Sequence, residues 1–332
     1  MFNGSNMKRK RSSLSAIAAI LAPILMTPAP VHANDTSAVL GAGGLELTTS
    51  EDIVMASEDL YLSPSEVRVR YAFVNESDDD ITTTVAFPLP DIDQNFFGEM
   101  VSLPAPDEDN FVDFRVTVDG KTVQPKLEQK AFTDDGADVS ATLVELGLPL
   151  NAQREGWEEK VRELPGAAWQ KLVAQGLLDV ETDDRNDRSA DFSPTWVLRA
   201  TFHWQQTFPA GETVNVHHRY KPIVGGVSVF EDEQQLNDYQ AYCLDAHGKA
   251  GLRRLMKQTR ISPLEVSYVP TTGSNWKGPI RDFHLTIDKE QPHAILSLCE
   301  RGLKKMGPTT FELSRTNFTP KDDIRFVVFK GE

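Results

Sequence analysis

Apolar and polar residues alternate twice between Ser65 and Pro90. Val67, Val69, Tyr71 and Phe73 alternate with Arg68 and Arg70, and beyond the polar tip Asn75–Asp80 the period returns at Ile81, Thr83, Val85 and Phe87. A period of two fits strands with one buried face. Asn, Asp and Ser suit the turn between them, and Pro88 and Pro90 stop the second run. The stretch predicts an antiparallel hairpin at the centre of the fold. Ahead of it, Ile53 with Met55 and Leu60 with Leu62 mark two short strands.

The same pattern recurs downstream. Phe114, Val116 and Val118 alternate with Arg115 and Thr117, Asp119-Gly120 is a hairpin turn signal, and Thr122 to Lys130 is expected to return as the partner strand. A second long hairpin is predicted over Thr195–Tyr220. Pairing Phe208 with Val214 puts Phe202, Trp204, Phe208, Val214, Val216, His218 and Tyr220 on one face. His218 then lies on the core side beside Trp204, with His203 and His217 diagonal to each other on the polar side. Phe283, Leu285 and Ile287, then Ile295–Cys299, Thr310–Leu313 and Ile324–Phe329, give a strand-rich end.

Between these β segments the period changes. Val139, Leu143 and Leu146 are spaced four and three apart, Asp138 can cap their start, and Gly147 and Pro149 can end them. Trp157, Val161 and Leu164 repeat the spacing before Pro165-Gly166, and Trp169, Leu172 and Val173 form a third stripe closed by Gly176. Asp245 with Gly248–Lys257 reads as a short basic helix. The sum is a mainly β (α+β) chain of antiparallel β-sandwich-type sheets with a helical insert. The expected division is a leader at 1–33, a β portion at 34–136, the insert at 137–180 and a β-rich portion at 181–332 packed with the first.

The leader changes the setting. Lys8, Arg9, Lys10 and Arg11 precede an apolar core from Leu14 to Met26, too short to span a bilayer, and Val31-His32-Ala33 offers a cleavage site ahead of Asn34. No Cys stands at the end of that core to take a lipid anchor, and no later stretch is long and apolar enough to span, so an exported, periplasmic protein with no membrane span after cleavage is expected. Losing four basic residues takes the formal charge from −15 to −19. That argues against nucleic acid as a partner. In an oxidising compartment the two cysteines, Cys243 and Cys299, are most simply one disulfide.

Several of these blocks occur together in one family. SEDLYLSPSEVRVRYAFVN, VAFPLP, TFPAGETVNVHHRYKPIVGG, YCLD, TTGSNWKGPIRDFHLTIDK and GPTTFEL resemble the bacterial exported family of domain of unknown function 4424, from about Gly43 to Phe329. The resemblance implies a periplasmic β-rich protein of Gram-negative bacteria and brings no catalytic residues with it. Over the central hairpin alone, Tyr71-x-Phe73-x-Asn75 and Phe87-Pro88-Leu89-Pro90 are similar to the β-sandwich domain of vault and inter-alpha-trypsin proteins, a likeness of architecture only.

No nucleophile elbow, His-Glu-x-x-His or phosphate-binding glycine loop is present. Ser274-x-x-Lys277 lacks the companion motifs of penicillin-binding enzymes, and Glu181–Asp191 lacks the pattern of a calcium loop. No catalytic residue, metal ligand or cofactor is therefore assigned. The best binding candidate is the loop Gly273–Pro279, where Asn275, Trp276 and Lys277 offer an amide, an indole and a cation between glycines. The reading is a non-enzymatic binding or scaffold module for an envelope protein or ligand; a hydrolase acting on envelope material is the alternative. The leader makes a direct prediction: mass spectrometry of the exported protein should find Asn34 as its first residue, and an intact Met1 in a cytoplasmic fraction would refute it.

Overall fold

The computed structural model describes residues 35–41, 44–95, 101–226 and 239–331; the leader at 1–33 lies outside them. An eight-stranded sheet and a six-stranded sheet contribute to one apolar core. The larger sheet has at its centre β3 (Ile53–Leu62), β4 (Val67–Asn75) and β13 (Thr213–Tyr220). The smaller runs from β2 (Gly44–Thr48) and β1 (Thr36–Gly41) to β5 (Ile81–Pro88) and β12 (Val197–Phe208), with β6 (Ile92–Asp93) and β9 (Lys126–Phe132) both paired to β12.

Both long hairpins are corrected here. β4 pairs with β3 and β13, whereas β5 pairs with β1 and β12. The stretch Ser65–Pro90 is therefore an arch that crosses from one sheet to the other, and so is Thr195–Tyr220. The predicted inward faces survive: Phe202, Trp204, Phe208, Val214, Val216, His218 and Tyr220 are all buried. They meet across the interior instead of along a ladder. His203 and His217 consequently sit on different sheets, His203 in register with Lys126 and His217 with Arg70, and form no pair.

One buried amide ties the two arches together. Asn75 Nδ2 donates to Phe208 O and to Asp79 O, each at 2.8 Å, and its Oδ1 accepts from Ser77 N at 3.0 Å. Its backbone accepts from Gly211 N at 3.0 Å and donates to Glu212 O at 3.3 Å. Gly211 has φ 70°, a conformation that favours glycine.

The Asp119-Gly120 turn forms as expected between β7 (Arg115–Val118) and β8 (Lys121–Val123). The returning strand then breaks at Gln124-Pro125. Its second half, β9, moves to the smaller sheet, because proline cannot donate to a ladder.

Three helices follow β9: α1 (Ser140–Glu145), α2 (Trp157–Glu163) and α3 (Gly166–Ala174). Asp138 accepts from Ser140 N at 3.0 Å, and Gly147 and Gly176 leave α1 and α3 with positive φ. Their apolar stripes and the short pair β10 (Leu178–Val180) and β11 (Phe192–Pro194) close a second core around Trp157, Trp169 and Trp196. The acidic loop 181–191 is held against it: Trp169 Nε1 donates to Arg185 O at 3.1 Å, and Arg188 donates to the carbonyls of Arg162 and Leu164.

After β14 (Val224–Gly225) comes α4 (Ala246–Met256), where Asp245 accepts from Gly248 N at 2.7 Å. β15 (Ile261–Tyr268), β17 (Ile295–Leu298) and β20 (Ile324–Gly331) build a four-stranded sheet with β14. β16 (Ile280–Asp288), β18 (Lys304–Lys305) and β19 (Thr310–Phe318) extend the eight-stranded sheet, β16 running parallel to β3. No helix among the described residues is long and apolar enough to cross a membrane.

Cys243 and Cys299 form a disulfide with Cα atoms 5.0 Å apart, fastening the approach to α4 to the end of β17. The bond spans a sequence separation of 56 residues. In the chain-entropy account such a loop is worth roughly 4 kcal/mol. Replacing both cysteines with serine should lower stability by up to about that amount, read from denaturant melts. Titration of the unfolded, unreduced protein should find no free thiol, and two thiols per chain would contradict the bond.

Candidate functional site

The predicted recognition loop is turned inward. A short 3-10 helix, Thr271–Asn275, delivers Trp276 into the core, where it is 2% exposed. Its ring lies 4.8 Å from Phe73 and 5.9 Å from Phe208, and Nε1 donates to Asp35 O at 2.7 Å. Asn275 Nδ2 donates to Thr36 Oγ1 at 2.9 Å, and Asn275 O accepts from Ser50 N at 2.8 Å. Lys277 N donates to Ile53 O at 2.9 Å and Lys277 Nζ lies 3.0 Å from Glu76. The indole is therefore not an exposed recognition surface. The three residues stay together, but what they grip is the start of their own fold.

Asp35 belongs to a sealed polar cluster. Asp35 Oδ2 is 3.4 Å from His218 Nε2, and neither side chain is exposed. Glu58, 1% exposed, accepts from Tyr268 OH at 3.2 Å, and that hydroxyl is 3.1 Å from Tyr71 OH. Rings from both sheets close around the imidazole: Phe87 at 4.9 Å, Phe114 at 5.1 Å, Tyr71 at 5.4 Å and Trp204 at 5.5 Å.

Burial first, then the charge of Glu58, pushes the Asp35 carboxyl well above its usual range. Burial, with a smaller effect of His217, drives His218 down to about 3. The short Asp35–His218 contact would raise the imidazole if Asp35 were ionised. Burial acts on both partners in the same sense, favouring the uncharged form of the carboxyl and of the imidazole.

Asp35, Glu58 and Tyr268 escaped the sequence reading. For Glu58 a signal exists. The inward apolar positions change from odd numbers (53, 55) to even ones (60, 62), and the bulge between Met55 and Ser57 is the cause. Continuing the even set turns Glu58 inward. Asp35 carries no pattern of its own, standing between the predicted leader and the first alternating run.

The surface offers a different feature. A groove of about 910 Å³ opens where β8 and β9 part, along the side of the sandwich. Phe114 and Phe202 are stacked in its wall, 4.4 Å apart. Thr117, Thr122, Gln124 and Gln129 supply hydroxyls and amides. Its charges are matched: Arg115 Nε donates to Asp113 at 3.0 Å, and Asp109 pairs with Arg154. Among the described residues, no group of three or more His, Cys, Asp or Glu is placed to hold a metal ion.

An antiparallel β-sandwich with a sealed polar interior and a hydroxyl- and amide-lined groove is thus the class of protein defined. The chain belongs to the family described as a domain of unknown function (DUF4424), which matches residues 33–327. No curated protein matches it significantly. Among solved structures, a Legionella pneumophila protein described as a candidate nutrient binding protein is similar at 15% identity and TM-score 0.44, covering 90% of this chain and 70% of that one. An M1 zinc metallopeptidase from Deinococcus radiodurans is similar at 12% identity and TM-score 0.20, covering 85% of this chain and 43% of that one.

The buried imidazole gives a pH prediction. The unfolded chain takes up a proton near 6.5, the folded chain only near 3. Between those values the unfolded state binds more protons, so His218 makes stability fall as pH falls. Asp35, with its raised value, acts in the opposite sense, its contribution being lost as pH rises. His218→Gln removes the first effect. Between about pH 7 and about pH 4 the variant should lose less stability than the wild type, the difference approaching 1.4 kcal/mol per pH unit at most. Parallel acid profiles would mean that His218 is not held neutral.

Proposed function

We propose that the chain is an exported, periplasmic binding module of the cell envelope, without catalysis of its own, and that its ligand occupies the groove between β8 and β9. The leader, the Cys243–Cys299 disulfide and family membership support the setting. The observation that carries the binding reading is the groove's chemistry. Its volume, about 910 Å³, is in the range of small-molecule sites. With Asp113, Arg115 and Asp109 already in ion pairs, the groups left to meet a ligand are Thr117, Thr122, Gln124 and Gln129. Hydroxyls and amides both donate and accept, so they suit a neutral, hydroxyl-rich solute of the saccharide type.

The hydrolase alternative lacks comparable support. A histidine, an acid and a serine would have to meet in one accessible pocket. The His218–Asp35 pair is sealed. The exposed His284 lies 3.1 Å from Asp59 and 3.7 Å from Glu312, so both its nitrogens face carboxylates.

Calorimetric titration with neutral mono- and disaccharides tests the reading. Replacing Gln124 and Gln129 together by alanine should weaken binding about tenfold, as expected for two hydrogen bonds of ordinary strength, and leave the melting temperature unchanged. Binding that is indifferent to both substitutions would exclude the groove, and a failure of every neutral sugar to bind would exclude this ligand class.

A further inference from the structure

Helix α4 is the basic helix of the sequence, and neither the sandwich nor the groove uses its outer side. Its apolar side is already covered: Leu252, Leu255 and Met256 pack with Ile295 of β17 and with Val327 and Phe329 of β20. Ala246, Ala250, Arg253, Arg254 and Lys257 are exposed, and at 3.6 residues per turn they share the opposite face. Lys249 flanks them, and the exposed Arg260 follows in the turn that leaves the helix. Among the described residues, Lys249, Arg254, Lys257 and Arg260 are in no ion pair. Other arginines are matched, as Arg199 is by Asp91 and Arg219 by Glu66. The strands beneath the helix offer no counter-charge: β17 and β20 contain no Asp or Glu, and Asp245 accepts from Gly248 N at 2.7 Å.

The helix dipole accounts for cations in the last turn, where Arg253 and Arg254 stand. It does not account for Lys249, set toward the positive end, or for Arg260 beyond the helix. In a chain of formal charge −15 these residues form a local patch of the opposite sign, which the net charge conceals. We propose that the outer face of α4 is a docking surface for a bilayer of anionic phospholipids. The face is a ridge, about 12 Å along the helix from Lys249 to Lys257. Ala246 and Ala250 keep its crest low, so it can lie against a flat surface while the long Lys and Arg side chains reach the phosphates. A protein partner needs apolar or aromatic anchors at its centre. The large exposed apolar residues among those described, Val39, Leu40, Leu47, Val144 and Met306, are all outside this helix. Attachment is thus electrostatic and peripheral, without insertion. The same surface repels the acidic remainder of the chain, which orients the protein with α4 leading. The inference does not depend on the groove or its ligand.

The test is co-sedimentation with vesicles of phosphatidylglycerol and phosphatidylcholine in equal parts, with pure phosphatidylcholine vesicles as the control. The protein is taken after export, because the leader is itself basic and apolar; where the leader persists, a protease site placed ahead of Asn34 removes it. Binding is expected to the anionic vesicles alone and should weaken as salt is raised. One exposed cation near such a surface is worth about fivefold in partitioning, so Lys249→Gln, Arg254→Gln and Lys257→Gln together should weaken binding on the order of a hundredfold. The same loss of charge at Lys304, Lys305 and Lys321, exposed residues of other segments, should leave binding nearly unchanged. Neither set should move the melting temperature. Should the first set melt early, Arg254→Gln alone decides, with an expected loss of about fivefold.

No binding to the anionic vesicles at low salt overturns the proposal, as does an equal loss in the two sets of variants. Three further results would give the face to another occupant and overturn it as well. Binding that appears only after Glu231, Asp232 and Glu233 are replaced by glutamine assigns the face to the chain's own acids. Self-association at low salt that the α4 substitutions abolish, without vesicle binding, assigns it to a second copy. Capture of duplex DNA through the same cations, again without vesicle binding, assigns it to nucleic acid.

Discussion

One buried amide side chain holds the sandwich in register. Asn75 ends β4 and at the same time bonds to Phe208 O at the end of β12, so the two crossings between the sheets are fixed to each other. Everything inside follows from that alignment. With β4 and β13 on one sheet and β5 and β12 on the other, Tyr71 and His218 face Phe87 and Trp204 across the interior. Loss of the amide would leave Phe208 O without this partner in a buried setting, where an unsatisfied carbonyl is costly.

The inward faces were legible from alternation alone, because a strand buries every second residue whoever its partner is. For the same reason alternation did not reveal the partner. A run of inward side chains looks identical whether its sequence neighbour lies beside it in the sheet or opposite it across the core. The discriminating signal was turn chemistry. Asp119-Gly120 is a tight hairpin turn, and there β7 and β8 do pair. The tips after Asn75 and Phe208 carry no such dipeptide, and both became crossings. The helices were legible through their stripes and their glycine stops, the disulfide through the scarcity of cysteine.

The candidate site was hardly legible, for physical reasons. An indole among glycines has the composition of either a contact surface or a plug, and only tertiary packing separates the two. Trp276 became a plug because Phe73, Phe208 and the Asp35 carbonyl together surround it. The groove between β8 and β9 depends on a strand that changes sheets at Gln124-Pro125, and its lining comes from segments that no local pattern connects.

The parallel ladder between β3 and β16 has a kinetic meaning. It joins residues 57–62 to residues 282–287, so the centre of the larger sheet is stitched from segments far apart in sequence. Loop-closure entropy must be met before such contacts reward the chain, and domains dominated by distant pairings fold slowly. β3 has β4 close behind it in sequence, but its other edge stays open until residues 282–287 have been made. A nascent chain of this kind is slow to commit to its final topology.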